Sequence, residues 1–230
     1  MRIDSAEKQH ELGALIARVL PGSRPESSQL LAEIGRIRTV DPDETIFRQG
    51  EPIPLICVIR GYGAFRRTTV DGQLLTLGIA DPDGIYGYSS ISAATASVDL
   101  VALTEGEVAT WKGADVRRVF ASDPGFALDV MDRQSVFLRT ITEKVDGFLH
   151  QDARRRVVRV LIRHRKLFFG NPPVLSRTQL PSLLGISREM TGRVLRQLER
   201  EGMVARVGRH GLRLLRPDRL DADESLREVS

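Results

Sequence analysis

The stretch "LSRTQLPSLLGISREMTGRVLRQLEREGMVARVGRHGLRLL", residues 175–215, interleaves arginine with leucine over two helix-length runs and a short alternating tail. Ser176 suits the N-cap of a helix through Leu184, Gly185 suits a sharp turn, and Ser187 suits the N-cap of a second helix closing at Gly202. On that second helix Val194, Leu195 and Leu198 form an apolar stripe, and Arg188, Glu189 and Arg193 stand on the opposite, N-terminal side. This is the layout of a helix-turn-helix whose second helix enters the major groove by its N-terminal end. Arginine can donate twice to guanine and glutamate can accept from cytosine, each good pair giving roughly 1–3 kcal/mol of discrimination. Glu189 and Arg193 also stand four apart, the spacing of a surface ion pair, and the two roles are compatible. Gly192, unfavourable inside a helix, suits a place where backbone comes close to DNA or to a neighbouring helix. Beyond it, "MVARVGRHGLRLLRP" alternates about the turn "GRHG", which predicts a two-stranded wing with Arg209 and His210 at its tip.

Charge is distributed to match. Residues 1–152 carry 16 Lys/Arg against 22 Asp/Glu, residues 153–220 carry 17 against 4, and residues 221–230 carry 1 against 4. An acidic domain is thus followed by a basic one, the electrostatic footprint of a phosphate-backbone binder. The boundary is placed at Asp152, a plausible N-cap for a helix that "GNPP", residues 170–173, should end. The acidic tail "DADESLREVS" is expected to fray.

Upstream, "RIRTV", "TIFRQ", "LICVIRG", "GAFRRTTV", "LLTLGIA", "VDLVAL" and "EVATW" lie between Arg36 and Gly113, separated by turn-rich segments. Short alternating runs at this spacing predict an antiparallel β-roll, with Asp71-Gly72 a hairpin turn. "AEKQHELGALIARVL" and "ESSQLLAEIG" before it predict short helices, so the first domain is α+β. After Pro124 the positions Met131, Gln134, Leu138, Ile141, Val145 and Phe148 follow steps of three and four. That predicts a homodimer seam over about two and a half heptads, although the same pattern suits a helix packed on its own barrel. Val130, Phe137 and Leu149 flank the seam. The expected domains are therefore 1–123, a sensor roll with its N-terminal helices; 124–151, a dimerisation helix; and 152–230, a winged helix-turn-helix.

Several classes find no support. No run of eighteen apolar residues occurs and the N-terminus is too charged for a signal peptide, so a cytoplasmic protein is expected. One cysteine, Cys57, cannot build a disulfide framework or an iron–sulfur cluster, and no metal-ligand pair appears. There is no G-x-S-x-G, no phosphate loop and no nucleophile with its base, so no enzyme is expected.

"GISREMTGRVLRQLEREGMV" resembles the winged helix-turn-helix of the catabolite activator protein and Fnr (Crp/Fnr) family of bacterial transcription regulators. The roll, long helix and basic domain follow that family's order over nearly the whole chain. The resemblance implies that Arg188, Glu189 and Arg193 read bases, as in the family's activator-type members. It places Ser187 and Arg177 at phosphate, with Ser176, Thr178, Thr191 and Arg209 as further phosphate candidates, and Asp152 at the hinge. It also implies a dimer on a two-fold symmetric TGTGA-like site and RNA polymerase as a partner. Pro181 departs from the pattern, so the first helix of the motif is expected to be kinked or to begin late.

In the family's cyclic-nucleotide binders a Gly-Glu pair holds the ribose and an Arg-Ser or Arg-Thr pair the cyclic phosphate. Gly87-Tyr88 and Ala96-Ser97 fall there, without the carboxylate or the arginine, and Phe137 and Ile141 replace polar positions on the long helix. A buried phosphate without a cation is costly, so cyclic AMP is not expected as a tight effector and no cofactor is predicted. Haem stays open as a candidate, but His10, His150, His164, His210 and Cys57 form no spaced ligand pair. An apolar small molecule, or no effector, stays open too. The alternative reading is an effector-binding signalling module whose DNA binding needs a ligand or whose basic domain docks a protein.

Overall fold

The computed structural model describes residues 5–225. Two helices, α1 (Ser5–Val19) and α2 (Pro25–Ile34), precede the strands β1 (Arg36–Val40), β2 (Thr45–Phe47), β3 (Leu55–Arg60), β4 (Gly63–Thr68), β5 (Leu74–Ala80), β6 (Gly84–Tyr86), β7 (Asp99–Ala102) and β8 (Gly106–Trp111). Then come α3 (Gly113–Ser122), α4 (Pro124–His150), α5 (Ala153–Arg163), α6 (Arg165–Phe169), α7 (Leu180–Leu184) and α8 (Arg188–Arg200). The strands β9 (Val204–Val207) and β10 (Gly211–Leu214) and the helix α9 (Pro217–Ser225) complete the order. No helix among the described residues is long and apolar enough to cross a membrane.

The chain divides into two compact units. One comprises residues up to Arg67 with Leu77–Ile141; the other comprises Thr68–Thr76 with Thr142 onward. The division falls inside α4 rather than at Asp152, and it assigns the tip of the β4–β5 hairpin to the second unit.

The first unit is built on two four-stranded sheets, in the orders β1-β8-β3-β6 and β2-β7-β4-β5, with antiparallel pairing in the recorded registers. The continuous apolar run of β3 has a direct cause, because this strand is buried on both faces. Ile56 and Val58 join Phe47, Ala80, Leu100 and Val108 inside the roll. Leu55 and Cys57 point the other way, into a second core with Leu12 and Ile16 of α1, Leu31 of α2, Val116 of α3 and Phe126 and Val130 of α4. Burial there pushes the Cys57 thiol up to about 12, as suits a structural rather than a reactive cysteine. The Trp111 indole donates to the Leu31 carbonyl at 2.7 Å, tying β8 to α2. Asp123 opens α4 as its buried carboxylate accepts from the N–H groups of Gly125 (3.0 Å), Phe126 (3.1 Å) and Arg24 (2.8 Å).

Neither β6 nor α3 was expected from sequence. The strand β6 is three residues long, and α3 repeats its apolar residues only at Val116, Val119 and Phe120. The Asp71-Gly72 hairpin forms as expected, with Gly72 at φ 76° and Thr69 N–H donating to the Gln73 carbonyl.

In the second unit, the single helix expected over residues 153–169 is broken. Asp152 caps α5 by accepting from Arg155 N–H at 2.7 Å, but α5 stops at His164 (φ −109°, ψ 31°), whose carbonyl starts α6 by accepting from Leu167 and Phe168. The tail is also more ordered than expected. Leu220 is fully buried, Asp221 pairs with Arg165, and Asp223 pairs with Arg154. Residues 226–230 of that tail lie outside the described residues. Within the second unit the Thr76 hydroxyl donates to Ser182 Oγ (3.1 Å) and the Thr76 carbonyl accepts from Lys144 (2.8 Å).

Partial burial at the α5–α6 break, with Arg163 and Lys144 nearby, depresses His164 to about 4, so the half-buried imidazole is neutral at pH 7. Its folded value lies below the unfolded 6.5, so its contribution is complete above 6.5 and is lost as pH falls toward 4. Between pH 7 and pH 5 the His164→Gln variant should therefore lose about 2 kcal/mol less stability than the wild type, read from urea unfolding at the two pH values. Identical losses would mean that His164 is not held neutral in the native state.

Candidate nucleic-acid interface

The site is assembled by local backbone chemistry. A 3-10 turn, Arg177–Gln179, precedes α7, and Pro181 sits at the second position of that helix, where its missing N–H costs nothing. The first helix of the motif thus begins late, at Leu180. Gly185 ends it in the left-handed region (φ 61°, ψ 35°), donating to the Pro181 carbonyl. Ser187 then caps α8 by accepting from Met190 N–H at 3.1 Å.

The helix α8 has two distinct faces. Val194, Leu195 and Leu198 are buried, and so is Thr191, whose hydroxyl donates to the Ser187 carbonyl at 3.0 Å. That places Thr191 in the packing of the motif, with its hydroxyl turned to its own backbone. Arg188, Glu189 and Arg193 are all exposed on the N-terminal half, and Arg193 meets Glu189 at 3.2 Å. An exposed i,i+4 pair of this kind stabilises a helix by only about 0.3–0.5 kcal/mol, so both side chains can be redirected to base edges at little cost. Met190, in the same first turn, is 37% exposed and adds an apolar contact that charge-centred reading of the sequence passes over.

Between α7 and α8 lies a groove of about 270 Å³ lined by Arg177, Thr178, Pro181, Arg188, Thr191, Gly192 and Leu195. A Cβ on Gly192 would meet only Arg196 Nη1, at 3.6 Å, an ordinary contact. Helix packing therefore does not require this glycine, and its bareness leaves backbone facing the groove. Ser176 and Thr178 share a hydroxyl hydrogen bond of 2.7 Å, and the Ser176 N–H donates to Gln179 Oε1 at 2.7 Å. Arg177 reaches to the wing, its N–H donating to the His210 carbonyl (3.0 Å) and its guanidinium to the Arg209 carbonyl (2.7 Å). Strands β9 and β10 pair from Val204↔Leu214 to Val207↔Gly211, and the turn between them exposes Arg209 and His210.

One positioning residue gave no signal of its own in the sequence. Arg154, one of three consecutive arginines in α5, grips Glu201 at the end of α8 with two hydrogen bonds (3.0 and 2.6 Å) and Asp223 of α9 with two more (3.1 and 2.9 Å). The guanidinium lowers the Glu201 carboxyl below its usual range. Only the fold reveals which carboxylates this arginine holds.

On α4 the expected seam positions Met131, Gln134, Leu138 and Val145 are exposed and Ile141 is half-buried. The Phe148 side chain lies outside the described ones. Of the flanking residues, Val130 is buried in the helical core, whereas Phe137 and Leu149 are exposed.

The residues expected at an effector pocket differ in their surroundings. Tyr88 is buried in the helix-facing core and Ala96 in the roll interior, while Ser97 and Phe137 are exposed. Gly87 has φ 79°, and a Cβ there would lie 2.1 Å from the Pro54 carbonyl oxygen, so this glycine serves a close backbone approach. Inside the roll Phe65 and Tyr86 pack edge to face at 5.2 Å. The Tyr86 hydroxyl accepts from Asp81 N–H at 2.9 Å. The Gly87-Tyr88 and Ala96-Ser97 pairs themselves contain neither a cation nor a carboxylate. Among the described residues no group of three or more His, Cys, Asp and Glu is placed to hold a metal ion.

Comparison with known proteins agrees with this geometry. Residues 37–123 match the model of the cyclic nucleotide-binding domain, and residues 155–222 match that of the Crp-like helix-turn-helix domain. The chain is 27% identical over 185 residues to the Cyclic AMP receptor protein of Thermus thermophilus, covering 80% of this chain and 86% of that one. It is 26% identical over 190 residues to the cAMP-activated global transcriptional regulator Vfr of Pseudomonas aeruginosa, covering 76% and 87%. Its fold matches the c-di-GMP responsive global regulator CLP of Xanthomonas campestris with a TM-score of 0.71 at 23% identity, covering 84% of this chain and all of that one.

Proposed function

From the premise that the chain belongs to the Crp/Fnr family of DNA-binding transcriptional regulators, we propose that it acts as a homodimer on a two-fold symmetric TGTGA-like site without control by cyclic AMP. The observation that carries this reading is the exposed Arg188, Glu189 and Arg193 set at the N-terminal end of a helix whose other face is buried. Those groups are the ones a major groove can select by hydrogen bonding. The dimer is supported by the apolar side chains that α4 leaves exposed, from Met131 to Leu149. Freedom from cyclic AMP is supported by Tyr88 and Ala96, both buried, at the positions where the resemblance implies a carboxylate and an arginine in the nucleotide binders. This sets the chain apart from its two named relatives, both of which carry cyclic AMP in their names. Action as an activator in the cytoplasm, with RNA polymerase as partner, follows from the family.

The test is competition binding of the purified, ligand-free protein to a symmetric TGTGA-type duplex and to a scrambled duplex at matched salt, with cyclic AMP in a parallel series. Specific binding unchanged by cyclic AMP is expected. Equal affinity for the two duplexes would overturn the site, since non-specific binding is largely electrostatic, and rescue by cyclic AMP would overturn the reading of Tyr88 and Ala96. Arg193→Ala should cost about 1–3 kcal/mol and relax preference at one base pair of each half-site, measured on single-substitution duplexes. A loss shared equally by all sequences would assign Arg193 to phosphate instead.

A further inference from the structure

The wing tip is held in place by more than its own turn. Arg177 pins it twice, through the carbonyls of Arg209 and His210. Along β9, Arg206 Nε meets Glu199 of α8 at 2.8 Å. The tip therefore has a fixed position relative to the helix that presents Arg188, Glu189 and Arg193, and Arg209 is exposed upon it beside Gly208 (φ 54°).

What lies between the tip and that helix decides which part of a duplex the tip meets. Arg177 is shared by the wing contact and by the groove, where it stands with Thr178 and Arg188. Two guanidinium groups and a hydroxyl around an open channel suit a sugar-phosphate strand. With the N-terminal end of α8 in the major groove, the strand bounding that groove runs through this channel, and on its far side lies the minor groove. Arg177 both lines this channel and holds the wing tip, so the tip is carried next to that strand. Resting on the DNA-binding reading above, we infer that Arg209 is a minor-groove reader that selects A·T-rich base pairs flanking those read by α8. The physical cause is the narrow minor groove of A·T tracts, whose concentrated negative potential draws an arginine. Arg209 then adds specificity at base pairs that the recognition helix does not touch, instead of the uniform phosphate contact that its charge alone suggests.

The test uses the full-length protein and symmetric duplexes whose base pairs flanking each half-site are A·T, G·C or inosine·cytosine, at one salt concentration. An inosine·cytosine pair lacks the minor-groove amino group of guanine but keeps the major-groove face of G·C. Wild type should bind the A·T and inosine·cytosine flanks alike and the G·C flanks roughly tenfold more weakly. In Arg209→Ala the ratio should fall to about one, and Arg177→Gln, which frees the tip, should lower it as well. Inosine·cytosine flanks behaving like G·C, or a ratio that survives Arg209→Ala, overturns the inference; the second result assigns the preference to DNA bending. Failure of the symmetric core to outcompete a scrambled core overturns the functional reading and this inference together, whereas a retained core preference with indifferent flanks overturns the wing assignment alone.

Discussion

Replacing Met131 and Val145 together by glutamate should convert the protein to a monomer and lower its affinity for the symmetric duplex by on the order of a thousandfold. The two side chains are 60% and 49% exposed, two helical repeats apart on α4, and Phe137 between them is 56% exposed. The same helix buries Phe126 and Val130 in the helical core, so its inward face is already occupied and its outward face is the one left apolar. Two carboxylates in each chain would meet two from the partner across a seam with no basic residue at the expected positions, a repulsive and desolvating arrangement. The large effect on DNA comes from linkage: a dimer delivers its second recognition helix at high effective concentration, and a monomer does not. Sedimentation velocity and binding to duplexes with one or two half-sites check this, the two-site to one-site affinity ratio falling toward one. A variant that sediments as a dimer would place the interface elsewhere and leave α4 as the cover of its own roll.

How far this could be read in the sequence depends on what kind of signal each part leaves. The recognition helix announces itself locally: Ser187 caps, Gly185 turns, and the Val194, Leu195, Leu198 stripe fixes which way Arg188, Glu189 and Arg193 must face. Each of these is a property of neighbours within one helix, and the structure places them accordingly. The strands of the roll were legible for the same reason, as was the hairpin at Gly72. Elements with too few residues to show a period were not, which is why β6 and α3 escaped. Long-range pairings leave no periodic trace at all. Arg177 reads as one more surface arginine until its bonds to Arg209 and His210 are seen, and Thr191 reads as a free hydroxyl until α8 buries it. The acidic tail read as frayed because composition says nothing of partners; Asp221 and Asp223 have arginines waiting on α6 and α5.

That last pairing sets the stability of the DNA-binding unit. Arg154→Met should destabilise it by about 3 kcal/mol at neutral pH. The Arg154 side chain is only 10% exposed and makes all four of its hydrogen bonds to Glu201 and Asp223. Removing it leaves two partly buried carboxylates facing each other without a cation, and they hold the C-terminal end of α8 and the helix α9 in place. The sign with pH is distinctive. In the wild type the Glu201 carboxyl is depressed, chiefly by its hydrogen bonds from Arg154, so the clasp is complete above the unfolded value near 4.5 and weakens as pH falls through the folded one. In the variant the carboxylates repel, and protonation relieves them. The deficit of the variant should therefore be widest at neutral pH and narrow below about pH 4.5. The single tryptophan, Trp111, lies in the first unit, so urea unfolding followed by its fluorescence should move less than unfolding followed by helical circular dichroism. A deficit under about 1 kcal/mol at pH 7 would mean that solvent screens the clasp as it does an ordinary surface pair. Glu201→Gln in the Arg154→Met background then separates the two costs, since removing one of the stranded carboxylates recovers stability only if their burial, and not the lost packing of the arginine stem, was the cause.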